Sequence, residues 1–556
     1  MLRHAGFPDN QLAMALNQPY CTCLLVLALL CLAGCGKRFS HSVQQVPEPT
    51  PLTKATVPDY SDSTITLAAG AHYDRSRLHR FLYGEHYRKA WATPVNVEVL
   101  DIGTAKGGLT PLQMGGSRQT VNLRLQNPEG VEYVLRSVDK EPAGTLPEKW
   151  QNSYFANIIR DATSATHPYA ALTLPPMAKA IGIHHLEPEL VYIPHDPRLG
   201  EYLSEVGGMV ALMERRPTGD QSDYAPMGKA RKVKSSRSAI EERLTDNDSF
   251  FDARLYLRAR LFDMLIGDWS RHEDNWRWAE REYAENAYVY EAIPRDRDNV
   301  FFKLNDAIIP WVFMRVGLKP HFQTFRSKFK NLEKLNRSGR ELDELILTKL
   351  KWQDWQEIAD SVQQALTDEV IEGAFKAMPD TIATLTAAPI IKKLKARRDQ
   401  LDEAAQRYYQ IISKKVQLVG SDKHELFEVE VLSPQEVRVK IFKTKKDGSK
   451  EQQLYARTFR AAETSEIALY GLDGDDSFLI GGSTKPRIKI RVWGGAGEDR
   501  YKVEANERKL GKRVRIYDTP YRNTYETDKY TTVKTEGNPY ARDFDAAGWL
   551  LRYYLD

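Results

Sequence analysis

Two short segments concentrate side chains that could do chemistry. Ile266-Gly-Asp-Trp-Ser-Arg-His-Glu-Asp-Asn-Trp-Arg-Trp278 ends a helical pattern at a glycine and then releases Asp268, His272, Asp274 and Asn275 within a few residues. Ile293-Pro-Arg-Asp-Arg-Asp-Asn-Val-Phe301 follows an acidic hairpin and adds Asp296 and Asp298 at the end of a strand. Carboxylate and amide oxygens suit Mg²⁺, which keeps water or phosphate oxygens in its remaining positions, so the chemistry indicated is phosphoryl transfer or phosphate binding. Asn275, Asp296 and Asp298 are the candidate metal ligands. The same carboxylates could instead be neutralised by Arg271, Arg295 and Arg297 in an ion-pair network. Trp269, Trp276 and Trp278 read as core or cleft-wall aromatics. His272 reads as a histidine that orients its loop, and His167, His184 and His185 carry no ligand spacing.

These residues carry a family resemblance. Ser270-Arg-His-Glu-Asp-Asn275 resembles the D-R-H-x-x-N catalytic loop of atypical kinases, such as phosphoinositide kinases and the spore-coat and secretory-pathway protein kinases, and Pro294-Arg-Asp-Arg-Asp298 resembles their metal-binding aspartate strand. The resemblance spans about 105 to 305. It implies a two-lobed α+β fold, ATP and Mg²⁺ as ligands, and catalytic positions at Asp268, Ser270 and His272. It places the phosphate-covering loop at Gly115 and Gly116, the nucleotide-binding basic residue at Arg136, and a hinge at Met213 and Glu214. Two departures bear on turnover. The base position of the pattern holds Ser270, and a neutral hydroxyl is a poor base at pH 7. Asp268 could stand in, but two residues of loop move a carboxylate by up to about 7 Å. Arg136 stands where lysine is usual, and a guanidinium grips phosphate as a fork rather than as a point charge.

The elements that must position these residues are legible as changes of period. Val121, Leu123 and Leu125 alternate, Asn127-Pro128-Glu129-Gly130 turns, and Val131, Tyr133 and Leu135 alternate again, which predicts a β-hairpin after a Gly115-Gly116-Ser117 turn. Helical spacing recurs at about 150 to 164 and from Phe251 to Gly267, where Phe251, Leu255, Phe262 and Ile266 share a face. The predicted layout is a kinase-like α+β domain over 76–330, a charged helical connector over 331–415 broken at Pro379 and Pro389, a β-rich domain over 416–520 and a tail over 521–556.

The β-rich domain repeats itself. Ile467-Ala-Leu-Tyr-Gly, Ile490-Arg-Val-Trp-Gly and Val514-Arg-Ile-Tyr-Asp recur 23 and 24 residues apart, a period that predicts stacked β-coils in a solenoid-like, or alternatively sandwich-like, domain. Gly471-Leu-Asp-Gly-Asp-Asp-Ser-Phe478 and Gly494-Gly-Ala-Gly-Glu-Asp-Arg-Tyr501 resemble the nonapeptide of calcium-binding β-rolls, which would place Ca²⁺ at Asp476 and Asp499. The plainer reading, and the favoured one, is that these are Gly/Asp turns closing each coil.

The N-terminus sets the compartment. Cys21 to Gly34 is an uncharged apolar run, too short to span a bilayer, that stops at Cys35. Leu32-Ala33-Gly34-Cys35 resembles the lipobox of bacterial lipoproteins, so residues 1–35 are expected to be a signal peptide and Cys35 the acylated first residue of a protein anchored in the cell envelope, at the outer membrane. A proline- and hydroxyl-rich tether would follow over 36–75. All four cysteines lie in the first 35 residues, so the mature chain has no disulfide framework or thiol nucleophile. With 79 basic and 75 acidic residues the charge gives no argument for nucleic acid, and the basic tract Lys229 to Arg237 reads as a solvated loop. The order of kinase-like body, helices and β-coils resembles the soluble part of surface-antigen-type outer-membrane barrel proteins, which implies a separately encoded barrel as partner. Three functions follow: a degenerate kinase-like module that binds a phosphate or nucleotide-type ligand with a divalent metal, an active metal-dependent phosphotransferase, or a scaffold for such a barrel.

Overall fold

A computed structural model describes residues 58–115, 119–304, 306–311, 322–505, 510–520 and 522–535. Cys35, Gly116 and most of the predicted tail lie outside them.

The predicted alternation becomes a seven-stranded mixed sheet. Its strands are β1 (Thr64–Leu67), β2 (Val95–Val99), β3 (Thr110–Gly115), β4 (Asn122–Gln126), β5 (Glu132–Ser137), β6 (Glu189–Ile193) and β7 (Met209–Arg215), in the spatial order β1-β2-β6-β7-β5-β4-β3. The β4–β5 turn closes as expected, with Val131 N–H donating to Asn127 Oδ1 at 2.8 Å and Gly130 at φ 82°. Because side chains alternate across a strand, the odd-numbered residues Leu123, Leu125, Leu135, Ala211 and Met213 pack one core. That leaves the even-numbered residues of β4, β5 and β7 on the opposite face.

A second sheet holds β8 (Val233–Ser235), β9 (Phe250–Phe251), β10 (Trp276–Ala284) and β11 (Ala287–Pro294) in the order β8-β10-β11-β9. Beside it runs the helix Ala253–Ile266, N-capped by Asp252, whose Oδ1 accepts from Leu255 N–H at 2.9 Å, and stopped by Gly267 at φ 76°. The helix is buried nearly all round rather than on one face, and Phe251 belongs to β9.

Several expectations change. Residues 58–75 are not tether: Tyr60, Leu67, Ala69 and Tyr73 are buried in the main core, and β1 pairs with β2. The basic tract at 229–237 is not a loop. It supplies β8 and the start of the helix Ser236–Thr245, with Lys234 paired to Glu280 at 2.5 Å. The 331–415 helices share one apolar cluster with the 253–266 helix, Trp355, Ile358 and Leu394 joining Leu257 and Leu261, so they complete the body rather than merely connect it. Pro389 sits inside the helix Asp380–Arg398 without breaking it. No helix among the described residues is long and apolar enough to cross a membrane.

The C-terminal repeats are stacked coils. One sheet orders β12 (Lys415–Val419), β16 (Glu466–Asp473), β18 (Lys489–Ala496), β20 (Val514–Tyr517) and β22 (Thr532–Lys534). The other orders β15 (Lys450–Arg460), β14 (Glu436–Thr444), β13 (Glu425–Ser433), β17 (Ser477–Gly482), β19 (Arg500–Ala505) and β21 (Thr524–Glu526). The sequence repeat is the register: Ile467 pairs with Ile490 and Ile490 with Val514. Inside, Phe427, Phe478, Tyr501 and Tyr525 stack at centroid spacings of 4.7, 5.2 and 5.1 Å. The coils run to 534, beyond the predicted boundary at 520.

Glycine permits the close stacking. Gly495 has φ 117°, and a Cβ there would lie 1.7 Å from the Leu472 carbonyl oxygen of the preceding coil. Gly495→Ala is therefore expected to cost about 3 kcal/mol by overpacking and left-handed strain, read as a lower urea midpoint; an unchanged midpoint would show that the coils can separate.

Candidate functional site

The site is assembled by the β10–β11 hairpin. Its register sets Trp276 opposite Pro294, so the loop before β10 and the turn after β11 emerge side by side, and Arg295 N–H donates to the Asn275 carbonyl at 3.0 Å. Arg271 ties the two segments, donating to the Arg295 carbonyl and the Asn275 carbonyl, each at 2.8 Å.

Beneath them lies a carboxylate that the motif reading missed. Asp263, fully buried in the 253–266 helix, receives Arg297 at 2.8 Å, Arg271 at 3.2 Å and Arg260 at 3.2 Å. Burial opposes its ionisation, but Arg271, Arg297 and Arg260 hold its pKa below the usual carboxylate range. Arg260 in turn forks onto Asp343 at 2.8 and 3.0 Å, which also accepts from Tyr256 and Tyr408. The signal was present as a lone acid in the apolar run Leu261-Phe-Asp-Met-Leu265.

Of the predicted catalytic residues, Asp268 is buried while Ser270 and His272 are half-buried. Asp268 is 1% exposed; its Oδ1 accepts from Ser270 N–H at 3.0 Å and its Oδ2 faces Arg271 at 3.4 Å. Burial is the main influence that pushes it up to about 7. Ser270 is half-buried and its carbonyl accepts from Asn275 Nδ2 at 2.6 Å. His272 opens the short turn Glu273–Asn275, its carbonyl accepting from Asn275 N–H at 3.0 Å. Trp276 and Trp278 are core residues, and Trp269 packs against Phe302 and Phe322.

Four of the predicted binding residues, Arg136, Glu214, Asp296 and Asp298, do meet. Arg136 on β5 is 5% exposed; it donates to Glu214 of β7 at 2.9 Å, to Asp298 at 3.3 Å and to Asp296. Lys140 takes the other Asp298 oxygen at 3.2 Å. Asp296 sits at φ 60°, a left-handed conformation that non-glycine residues hold only when the surroundings impose it. Burial opposes the charge of Arg136, but Asp298, Glu214 and Asp296 hold its pKa above the ordinary guanidinium value. Against the cost of burial, Arg136 and Lys140 lower Asp296, while burial raises Glu214. Gly115 pairs with Asn122 and Asn122 with Arg136, which sets the Gly115 backbone two strands, about 10 Å, from the Arg136 backbone. Gly116 lies outside the described residues.

This arrangement does not fit a shared Mg²⁺. The two aspartates are paired with Arg136 and Lys140, whereas Asn275 donates its Nδ2 to the Ser270 carbonyl, a bond that does not use the Oδ1 a metal would take. Among the described residues no group of three or more His, Cys, Asp or Glu is placed to hold a metal ion. Of the two alternatives left open by the sequence, the ion-pair network is the one formed, although its cations are Arg136 and Lys140 rather than the neighbouring arginines.

More guanidinia lie near this network. Arg277 lies on the hairpin diagonal to Arg295, and burial, followed by the like charges of Arg295, Arg216 and Arg124, pushes it down to about 10. Arg124 lies over Gly115, where a Cβ would be 3.5 Å from its Nε.

No protein-family model matches the sequence, and no curated protein matches it. Among solved structures, the chain is similar to the proinflammatory kinase CtkA of Helicobacter pylori, at 10% identity and a TM-score of 0.27, over 55% of this chain and 95% of that one. It is also similar to the amicoumacin kinase hAmiN in complex with AMP-PNP, Ca²⁺ and Ami, at 11% identity and a TM-score of 0.12, over 59% and 92% of the two chains. Likenesses this loose carry no argument about ligand or activity.

In the coils, Asp476 and Asp499 are turned inward against the chain. Asp476 Oδ1 accepts from Glu425 N–H at 2.7 Å and Asp499 Oδ1 from Asp476 N–H at 2.9 Å, so each carboxyl closes the neighbouring coil, the turn role favoured above over calcium. Burial pushes Glu425 up to about 7, Asp499 to about 8 and Asp518 to about 6, and raises Asp476 as well. An unfolded carboxyl titrates near 4, so the folded coils hold extra protons above that pH and lose stability as pH rises through about 6 to 8. Asp499→Asn, which keeps the accepting oxygen and stays neutral, should gain on the order of 2 kcal/mol relative to wild type between pH 6 and pH 9 in urea unfolding; a difference that is flat or of opposite sign would mean the carboxyl is ionised in the fold.

Proposed function

We propose that the protein is an envelope lipoprotein, acylated at Cys35, whose α+β body is a kinase-like fold retained as a non-catalytic module that binds a phosphate-type ligand and supports outer-membrane function beside a separately encoded barrel. The observation that carries the reading is the Arg136 guanidinium bridging Glu214, Asp296 and Asp298. An internal cation there leaves a metal-assisted transfer without its metal, and the residue at the base position, Ser270, supplies no base. Asp268, the stand-in, is committed to Ser270 N–H and Arg271 and is buried away from any substrate hydroxyl. The lipobox residues Leu32 to Cys35 support the anchor, and the four-cysteine distribution agrees with it.

The test is phosphate transfer from radiolabelled Mg·ATP to the protein or to a mixed-peptide acceptor. Wild type is expected to show none, and Ser270→Asp none either, because restoring a base does not restore the metal. Transfer by wild type that Asp298→Ala abolishes would replace this reading with an active phosphotransferase.

A further inference from the structure

Resting on the phosphate-site reading, a second feature of the same cleft says what kind of phosphate compound it takes. The even-numbered face of the seven-stranded sheet, opposite its apolar core, carries Arg124 on β4, Arg136 on β5 and, after β7, Arg216, whose N–H pairs with the Glu132 carbonyl at 2.8 Å. The β10–β11 hairpin approaches the same face, since Arg136 meets Asp296 and Asp298 immediately beyond β11. On that hairpin Arg277 and Arg295 occupy diagonal positions of one face, about 7–8 Å apart. Lys140 completes a set of six cations, against the five carboxylates Glu132, Glu214, Asp274, Asp296 and Asp298.

The cations are not all used. Glu132 takes Arg216, and Arg136 and Lys140 share Glu214, Asp296 and Asp298. Arg124 and Arg295 make no ion pair among the described residues, and Arg277 donates only to the Asp274 and Trp276 carbonyls there. All three are half-buried, where charge is screened less than at an open surface. A further donor of this face, Arg136 Nε, is buried without a hydrogen-bond partner. Glu132, Asp274 and Asp296 lie within electrostatic reach of Arg124, Arg277 and Arg295 but form no ion pair with them among the described residues, so the like charges converging from two sheets are only partly offset. A polyanion placed between them would relieve the remaining repulsion while receiving charge-assisted, forked hydrogen bonds.

We infer that the cleft binds a ligand carrying two or more linked phosphate groups, held directly by Arg124, Arg277 and Arg295 with Arg216 at the rim, and without a divalent metal. The spread of the guanidinia over two sheets requires more than one phosphate to engage both. The chemistry is shared by free condensed phosphates and by diphosphate headgroups of lipids.

Calorimetric titration of the acylated protein in detergent, with EDTA present, tests this. Tripolyphosphate and pyrophosphate should bind at least tenfold more tightly than orthophosphate, and added Mg²⁺ should not strengthen binding. Arg124→Gln combined with Arg295→Gln should weaken binding at least tenfold while the thermal unfolding temperature stays the same or rises, as expected when like charges are removed, whereas Arg438→Gln, on β14 in the coils, should change neither. A short prenyl diphosphate binding tenfold better than pyrophosphate would identify a lipid source, and equal affinity a free one. Absence of binding in EDTA, equal affinity for orthophosphate, or the same loss in Arg438→Gln would overturn the inference. Binding that appears only with Mg²⁺ would overturn it while leaving a phosphate site, and transfer from Mg·ATP would instead overturn the non-catalytic reading.

Discussion

Everything around the cleft is referred to one buried carboxylate. Asp263 draws Arg260 from its own helix, Arg271 from the loop and Arg297 from the turn after β11. A charge at zero exposure is tolerated only when paired and hydrogen-bonded, and removing one partner of such a set typically costs about 3–5 kcal/mol. The three guanidinia therefore cannot leave, and with them the 268–275 loop and the 295–298 turn are fixed in relation to the helix. Arg397 extends the same constraint from the C-terminal side: it donates to the carbonyls of Leu265 at 2.8 Å and Met264 at 2.5 Å, capping the helix just before Gly267.

With that frame set, the chemistry is decided by which cation reaches the two aspartates of the turn. In a metal-dependent site the carboxylates would face a divalent ion that phosphate oxygens also bind. Here Arg136 enters from β5, and the left-handed backbone at Asp296 turns the chain to meet it. The charge of the two aspartates is thereby met from within, and Arg124, Arg277 and Arg295 remain beside them without an ion pair among the described residues, the basis of the anion site proposed above.

Much of this was legible in the sequence, and the omissions have physical causes. The hairpin at 121–135 and the coil repeats could be read because their period is two and their faces are exposed to different solvents, core and water. The grouping of Arg136, Glu214, Asp296 and Asp298 followed from the motif resemblance. The partner of each aspartate did not, because a carboxylate reads alike beside Mg²⁺ or a guanidinium. Asp263 was passed over since a single acid in an apolar helix has no spacing signature, and Arg124 and Arg216 because strand alternation shows that they share a face but not what that face opposes. Tyr60 and Tyr73 sit in a polar, proline-rich stretch whose composition outweighed two buried aromatics.

The coils rest on a different balance, with inward carboxyls accepting from the backbone to close each turn and a ladder of four rings filling the interior. The acidic groups are thus met by guanidinia around Asp296 and Asp298, and by backbone N–H groups in the coils, where burial also raises the carboxyl pKa. The most direct test concerns the cleft: titration of Mn²⁺ followed by electron paramagnetic resonance, comparing wild type with Arg136→Met. If Arg136 fills the place of the metal, wild type leaves the free Mn²⁺ signal unchanged at millimolar concentrations and Arg136→Met removes it. Uptake of Mn²⁺ by wild type that Asp298→Asn abolishes would contradict that directly.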